Sequence, residues 1–355
     1  MERTPLYAAH QEAGGRFVGF AGWRLPVHYG SILDEARAVR TSAGMFDVSH
    51  MGRVRLQGTG ALDVLQHLGT NDLRRIEPGR AQYTLWCTPD GGTIDDLIVL
   101  WIAEHELIVV MNASRHDDDL AHLEEHARGK AAIVDESADT VMIAVQGPDA
   151  RGIVASLGDV PAMPRFGVTR AVIAGVGAFV SRTGYTGEDG VEIICEAGAG
   201  RRVWEALREA GVRPCGLGAR DALRMEMGYP LYGHELGLDI SPLEAGVGFA
   251  VALDDRRFIG HDALRKQADA GPSRKLMGFV CGKPAVPQPG DEIGDHGVVT
   301  SGGTSVVLGK PVGLCFVPSE TSAGAANLRT RGREIPAELR TLPLIDRKTR
   351  SKSKR

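Results

Sequence analysis

The chain has 355 residues, 43% of them hydrophobic and 24% charged, with a net charge of −4. That is ordinary globular composition at a length suited to two or three domains, with ample apolar material for a core. Slight acidity supplies no field toward nucleic acid or an anionic membrane, and aromatics at 5% are too few for base-stacking platforms, so neither is expected as a partner.

No apolar run approaches the roughly 18 residues that a membrane span needs. The start, MERTPLYAAHQ, has no apolar signal core and is not an Arg/Ser-rich transit peptide, which leads to a cytoplasmic expectation. The five cysteines form no C-x-x-C pair and read as small buried hydrophobes in a reducing compartment. Histidines are scattered along the chain, and no metal is expected.

In chain order, Ser31 is placed to cap a helix over 32–42, with Asp34 completing a capping-box-like start and Gly44 as the stop. Segments 82–87 and 94–102 read as strands joined by the Pro89-Asp90-Gly91-Gly92 turn, followed by an apolar strand at 107–112. Ser114 is a candidate cap for an acidic helix running to about His126. A buried-looking strand at 141–146 stops at Gly147-Pro148, a helix occupies about 201–210, and a Gly-rich entry leads into a helix at 220–227. After about residue 270 short apolar runs at 276–280, 298–300 and 312–317 alternate with Gly and Pro turns, an all-β texture. Residues 347–355, RKTRSKSKR, read as a disordered basic tail.

Four segments stand out: GMFDVSHMG at 44–52, GGTIDDL at 91–97, SRTGYTGEDGVE at 181–192 and GLGARDALRMEMGYPL at 216–231. Adjacent residues of a strand point to opposite faces, so only one of Asp95 and Asp96 can enter a given cleft. A lone carboxylate in an apolar cleft is a candidate proton handler; equally, it could cap the Gly91-Gly92 turn or pair with a cation. His50 reads as a structural hydrogen-bonder, and the fragments at 175–177 and 216–218 do not complete a dinucleotide fingerprint.

Together these segments resemble the aminomethyltransferase, or T-protein, of the glycine cleavage system. The resemblance runs from TPLYAAH near the start to TSGGTSVVLGKPVGL near the end. It implies an α+β fold with two interleaved α/β subdomains over 1–270 and a C-terminal β-barrel-like domain over 271–346. The implied reaction moves a one-carbon unit from the aminomethyl-lipoyl arm of a lipoylated H-protein carrier to tetrahydrofolate, with release of ammonia. Tetrahydrofolate is then a co-substrate, the lipoyl group comes from the carrier, and the folate is expected in a central channel whose opposite mouth admits the arm.

By the same resemblance Asp96 is the catalytic carboxylate beside the folate, with Asp95, expected on the other face of its strand, as the runner-up. Glu192 and Arg220 are implied folate contacts, since a carboxylate accepts from paired N–H donors and a guanidinium grips a carboxylate. ARDALR also holds Arg224, which stays open as the alternative grip. Tyr83, Tyr185, Met51 and Asn112 match positions near the folate, core packing being the alternative for each. Two other functions are weighed: a folate-dependent demethylase, and a non-catalytic folate-binding helper. The helper's Cys-containing signature is absent, because SRTGYTGEDG stands in its place. Phe249 where the family pattern has Trp, and GGTSVVLGKP, are departures.

Overall fold

The computed structural model describes residues 1–254 and 256–346; the basic tail expected at 347–355 lies outside them. Two sheets carry the first part. A seven-stranded sheet runs, edge to edge, Gly158–Asp159, Val168–Ile173, Val176–Ser181, Gly190–Glu196, Thr140–Gln146, Gly44–Asp47 and Arg213–Pro214. A five-stranded sheet runs Arg80–Cys87, Thr93–Ala103, Glu106–Met111, Gly52–Gln57 and Ala132–Asp135. The chain leaves the first sheet after Gly44–Asp47, builds the second, and returns at Thr140–Gln146 beside the strand it left. This is how the two units interleave.

Strand alternation decides what lies on each face. Along Thr140–Gln146, Val141, Ile143 and Val145 pack with Val203, Trp204 and Leu207 of the Ala197–Glu209 helix, while Met142 and Ala144 point the other way. Along Thr93–Ala103, Leu97, Val99 and Trp101 join Leu65 and Leu123 of the helices Ala61–Leu68 and His116–Ala127. Leu100 instead meets Met142, Ala144 and Ile194 across the middle. Each sheet therefore carries helices outside, and the two inner faces look at each other. A shared apolar layer joins them, with the Leu217–Met227 helix closing one side through Ala219 and Leu223.

The third part is a closed antiparallel barrel: Arg274–Cys281, Lys310–Pro318, Gly297–Ser305, Glu292–Ile293, Gly324–Thr330 and Arg333–Arg340, with the last strand pairing back to the first. Closure leaves no free edge, which suits a small sheet packed on a larger body. The fold is thus the mixed α/β arrangement with a C-terminal barrel that the resemblance implied.

Local readings fare unevenly. Ser31 does cap Ile32–Thr41, its hydroxyl accepting the Asp34 N–H at 3.3 Å. Gly44, however, does not stop that helix. It begins a strand, and a Cβ there would meet Val39 Cγ2 at 2.5 Å and Cys215 Sγ at 2.7 Å, so close packing is what requires glycine. Ser114 caps nothing: His116–Ala127 starts from Arg115, without a side-chain cap. The helix expected at 201–210 starts earlier, at Ala197, and the strand expected at 82–87 starts at Arg80. All five cysteines are buried and unpaired by disulfides. No described helix is long and apolar enough to cross a membrane.

Candidate active site

Between the two inner sheet faces, the Leu217–Met227 helix and the barrel lies a cavity of about 1390 Å³. Its walls bring together Met51, Tyr83, Asp96, Asn112, Tyr185, Glu192, Arg220 and Arg224, residues drawn from most of the length of the first part.

Strand parity separates the two carboxylates. Asp96 shares its face with Ile98 and looks into the cavity, whereas Asp95 is fully buried on the opposite face, toward the His116–Ala127 helix. The register of Thr93–Ala103 against its neighbour sets Asp96 opposite Leu85, and the Tyr83 hydroxyl donates to Asp96 Oδ2 at 3.1 Å. Asn112, just past the end of Glu106–Met111, spans both acids. Its Nδ2 donates at 2.8 Å to Asp96 Oδ1 and at 2.8 Å to Asp95 Oδ1, and its backbone N–H donates to Asp95 Oδ2 at 3.0 Å. Burial, and then the Asp95 charge, push the Asp96 carboxyl up to about 7, against the pull of the Tyr83 and Asn112 donors. A carboxyl that titrates near neutrality can both take and give a proton.

The facing wall is cationic and aromatic. Arg220 lies over the Tyr185 ring at 4.7 Å, and burial lowers its pKa while the Glu192 charge opposes that. No described carboxylate lies within ion-pair distance of Arg220, so its fork is uncommitted. Arg224, one turn on, is fully engaged: Nη1 donates to Glu235 at 2.8 Å, Nε to Asp221 at 2.8 Å and Nη2 to the Ser301 hydroxyl at 2.7 Å. Burial alone would lower its pKa, but the Glu235 and Asp221 charges outweigh it. Arg224 thus ties the helix to the barrel rather than offering a free grip.

Glu192 sits on the neighbouring strand, 8% exposed, and accepts the Thr183 hydroxyl at 2.5 Å. Burial raises its pKa. Tyr185 donates to the Pro230 carbonyl and stacks on Tyr229 with ring centroids 5.7 Å apart. Met51 lies half-buried against the shared apolar layer while also lining the cavity.

Three features escaped the sequence. Phe249, 78% exposed, stacks on Tyr83 at 5.9 Å and forms part of the cavity rim. The position was legible as a departure, but not its neighbour, because the two residues are distant in the chain. His50 is not the structural hydrogen-bonder expected from its motif. Its Nδ1 is buried without a partner, its ring meets Phe20 edge-on, and burial with the nearby Arg220 charge lowers its pKa to about 3. Asp119 is buried behind Asp95, although a run of three acids at a helix start reads as solvated charge facing the dipole.

Comparison with known proteins agrees with this arrangement. A family model described as the GCVT N-terminal domain matches residues 6–255, and one described as the glycine cleavage T-protein C-terminal barrel domain matches residues 274–346. The chain is 46% identical over 334 residues to the aminomethyltransferase of Bacillus subtilis, spanning 91% of this chain and 92% of that one. It is 42% identical over 364 residues to that of Geobacillus kaustophilus, spanning 98% and 99%. The crystal structure of glycine cleavage system aminomethyltransferase T from Bartonella henselae superposes with a TM-score of 0.90 at 31% identity, covering 97% of this chain and 98% of that one. With both domain models matched in order and full-length relatives on either side, the chain belongs to the glycine cleavage T-protein family and is an aminomethyltransferase.

Proposed function

We propose that the cavity binds tetrahydrofolate and receives the aminomethyl-lipoyl arm of a lipoylated H-protein carrier. The enzyme would transfer the one-carbon unit and release ammonia in the cytoplasm. The observation that carries this reading is the pairing of walls. One holds a carboxyl titrating near 7, and the other holds an uncommitted guanidinium beside an acceptor carboxylate. A volume of about 1390 Å³ exceeds the ~300–1,000 Å³ of a typical single-ligand pocket, which suits a site where two reactants meet.

In this reading Glu192 accepts from the paired N–H donors of the pterin edge, and Tyr83 and Tyr185 offer flat faces to the rings. Arg220 grips a carboxylate of the glutamate tail, with Arg224 holding the helix in place. Met51 packs on the ligand. Folate, when bound, supplies the nucleophilic nitrogen. Asp96 would accept a proton at Oδ1 or Oδ2 and, when ionised, stabilise positive charge developing beside it; Tyr83 and Asn112 orient it by donating to its two oxygens. The Tyr83–Phe249 stack limits water at the rim. Leu276, Met277 and Leu342 line the cavity, and with the division taken near residue 270 they belong to the barrel region proposed over 271–346. That is where the arm would enter.

The test measures ammonia release from an aminomethylated lipoyl carrier, with and without tetrahydrofolate, for wild type and Asp96→Asn. The variant keeps the shape and loses the charge, so release should fall by ~10²–10⁴ while folate binding changes little. Near-normal turnover in the variant would remove Asp96 from the chemistry. Folate binding without ammonia release by the wild type would favour the demethylase or helper reading and send the search to methylated small molecules.

A further inference from the structure

Behind Asp96 the protein buries two more carboxyls. Asp95 and Asp119 are both 0% exposed, one on the Thr93–Ala103 strand and the other in the first turn of the His116–Ala127 helix. Both oxygens of Asp119 are buried, and no N–H or hydroxyl reaches either of them. Its nearest ionisable partner is the Asp95 carboxyl, and each of the two acids acts on the other's ionisation. Two carboxylates have only acceptors to offer each other, so they bond only if one proton sits between them.

Which acid keeps the proton follows from their other partners. Asp95 receives two donors from Asn112, the backbone N–H at 3.0 Å and Nδ2 at 2.8 Å, and these favour its ionised form. Asp119 receives none. Arg115, which would favour an ionised Asp119, is occupied with Asp118 at 2.6 Å and with the Ile94 carbonyl at 3.1 Å.

We propose that Asp119 is a positioning residue: it keeps a proton and donates it to Asp95, and the Asp95 carboxylate fixed in this way holds the Asn112 amide against Asp96. The same arrangement places a fixed negative charge behind the cavity carboxyl. Burial and the Asp95 charge raise the pKa of Asp119, in agreement with the neutral form. The charged and titratable groups around the cluster are Asp95 and Asp96 on their strand, Tyr83 on the adjacent strand, Arg115, Asp118 and Asp119 at the helix start, and Tyr232 from the loop opposite. Apart from Arg115, itself paired with Asp118, none is a cation. The cluster therefore relieves its repulsion by keeping a proton.

The catalytic consequence rests on the role proposed for Asp96, but the proton itself does not, and the experiment separates the two. Infrared spectra of the full-length protein at pH 8.5 put Asp96 above its pKa of about 7, so it is ionised. The carbonyl stretch of a protonated carboxylic acid should then remain in wild type and vanish in D119N. Loss of Asp119 as a donor raises the pKa of Asp95, and the proton that Asp95 then takes up removes its charge from beside Asp96 and lets Asp96 ionise at lower pH. In D119A, then, kcat for ammonia release should fall roughly 10- to 100-fold, with the acid limb of kcat/KM moved down by ~1 unit. D119N still donates to Asp95. It should keep the wild-type acid limb and recover most of what D119A loses.

Absence of the acid band from wild type at pH 8.5, or its persistence in D119N, would overturn the proton assignment whatever the reaction. Wild-type kcat and acid limb in D119A would overturn the positioning role. Should D119A fail to fold, the comparison of wild type with D119N still decides, through the band.

Discussion

At the scale of the residue, the central feature is a carboxyl kept half in and half out of ionisation. Burial and then the Asp95 charge raise Asp96 from an ordinary 3.8 to about 7, against the opposing Tyr83 and Asn112 donors. In the role proposed for it Asp96 is a base in its ionised form, and activity should then rise as pH passes through its pKa, with the acid limb of kcat/KM centred near 7. Tyr83→Phe removes a donor that stabilises the carboxylate at 3.1 Å. The pKa must then rise, and the limb should move to higher pH while the aromatic face stays. A pH–rate profile of the variant checks this. A limb that stays put, or moves down, would mean that the hydroxyl does not act on Asp96 as the geometry implies. Much of this residue-scale picture was legible in the sequence, because side-chain alternation is a local rule: the GGTIDDL motif puts only one of its two acids in the cleft. Which third acid stands behind them was not legible. Asp119 is 24 positions beyond Asp95 and meets it only through the packing of a helix on a sheet.

At the scale of the element, the helix Leu217–Met227 carries the cationic wall, and its entry is controlled by contact rather than propensity. Gly216 precedes it, and a Cβ there would meet the Val27 backbone carbonyl at 2.4 Å and the His28 nitrogen at 2.6 Å. Its N–H donates at 2.9 Å to Glu35, a buried carboxylate on the Ile32–Thr41 helix, so an anion sits at the positive end of the site helix. Gly216→Ala cannot be accommodated without moving helix or hairpin, and should cost ~1–3 kcal/mol. Because Arg220, the residue proposed to grip folate, rides on the first turn, the same shift should raise KM for folate more than it lowers kcat. Denaturant melts and a kcat–KM separation test this; unchanged stability would show that the hairpin strand Trp23–His28 yields freely. Elements of this kind divide by how local their cause is. The Ile32–Thr41 helix could be read because its cap is three residues from its partner. The strands Gly324–Thr330 and Arg333–Arg340 were not read, since neither holds an apolar run: single inward residues such as Leu328, Ile335 and Leu339 stand between polar or small neighbours.

At the scale of the whole molecule, two buried ionic knots bind the barrel to the first part, and Glu226 lies at the centre of the tighter one. Arg40, from the Ile32–Thr41 helix, donates to Glu226 Oε2 at 2.9 and 2.7 Å. The other oxygen accepts the Ser305 hydroxyl at 2.5 Å and the Val307 N–H at 3.0 Å, both from the GGTSVVLGKP segment. That departure from the family pattern therefore sits in interdomain packing. Both Arg40 and Glu226 have fully buried side chains, so the charges are affordable only together. Glu226→Ala strands a buried guanidinium and two barrel donors, a change worth ~3–5 kcal/mol when a buried pair is broken. Arg40 keeps Glu188 at 3.0 Å and the Thr186 carbonyl at 2.6 Å, which places the loss toward the lower end. Ser305→Ala removes a single donor from the same carboxylate and should cost ~1 kcal/mol. The ratio between the two variants is the diagnostic. If Glu226 couples the domains, its alanine variant should both lower the denaturant midpoint and separate barrel unfolding from that of the first part, while Ser305→Ala only shifts the midpoint. A single unshifted transition for Glu226→Ala would mean that the second knot, Arg224 with Glu235 and Ser301, holds the domains without help. Glu226 itself is buried away from the cavity, so turnover per folded molecule should survive its loss.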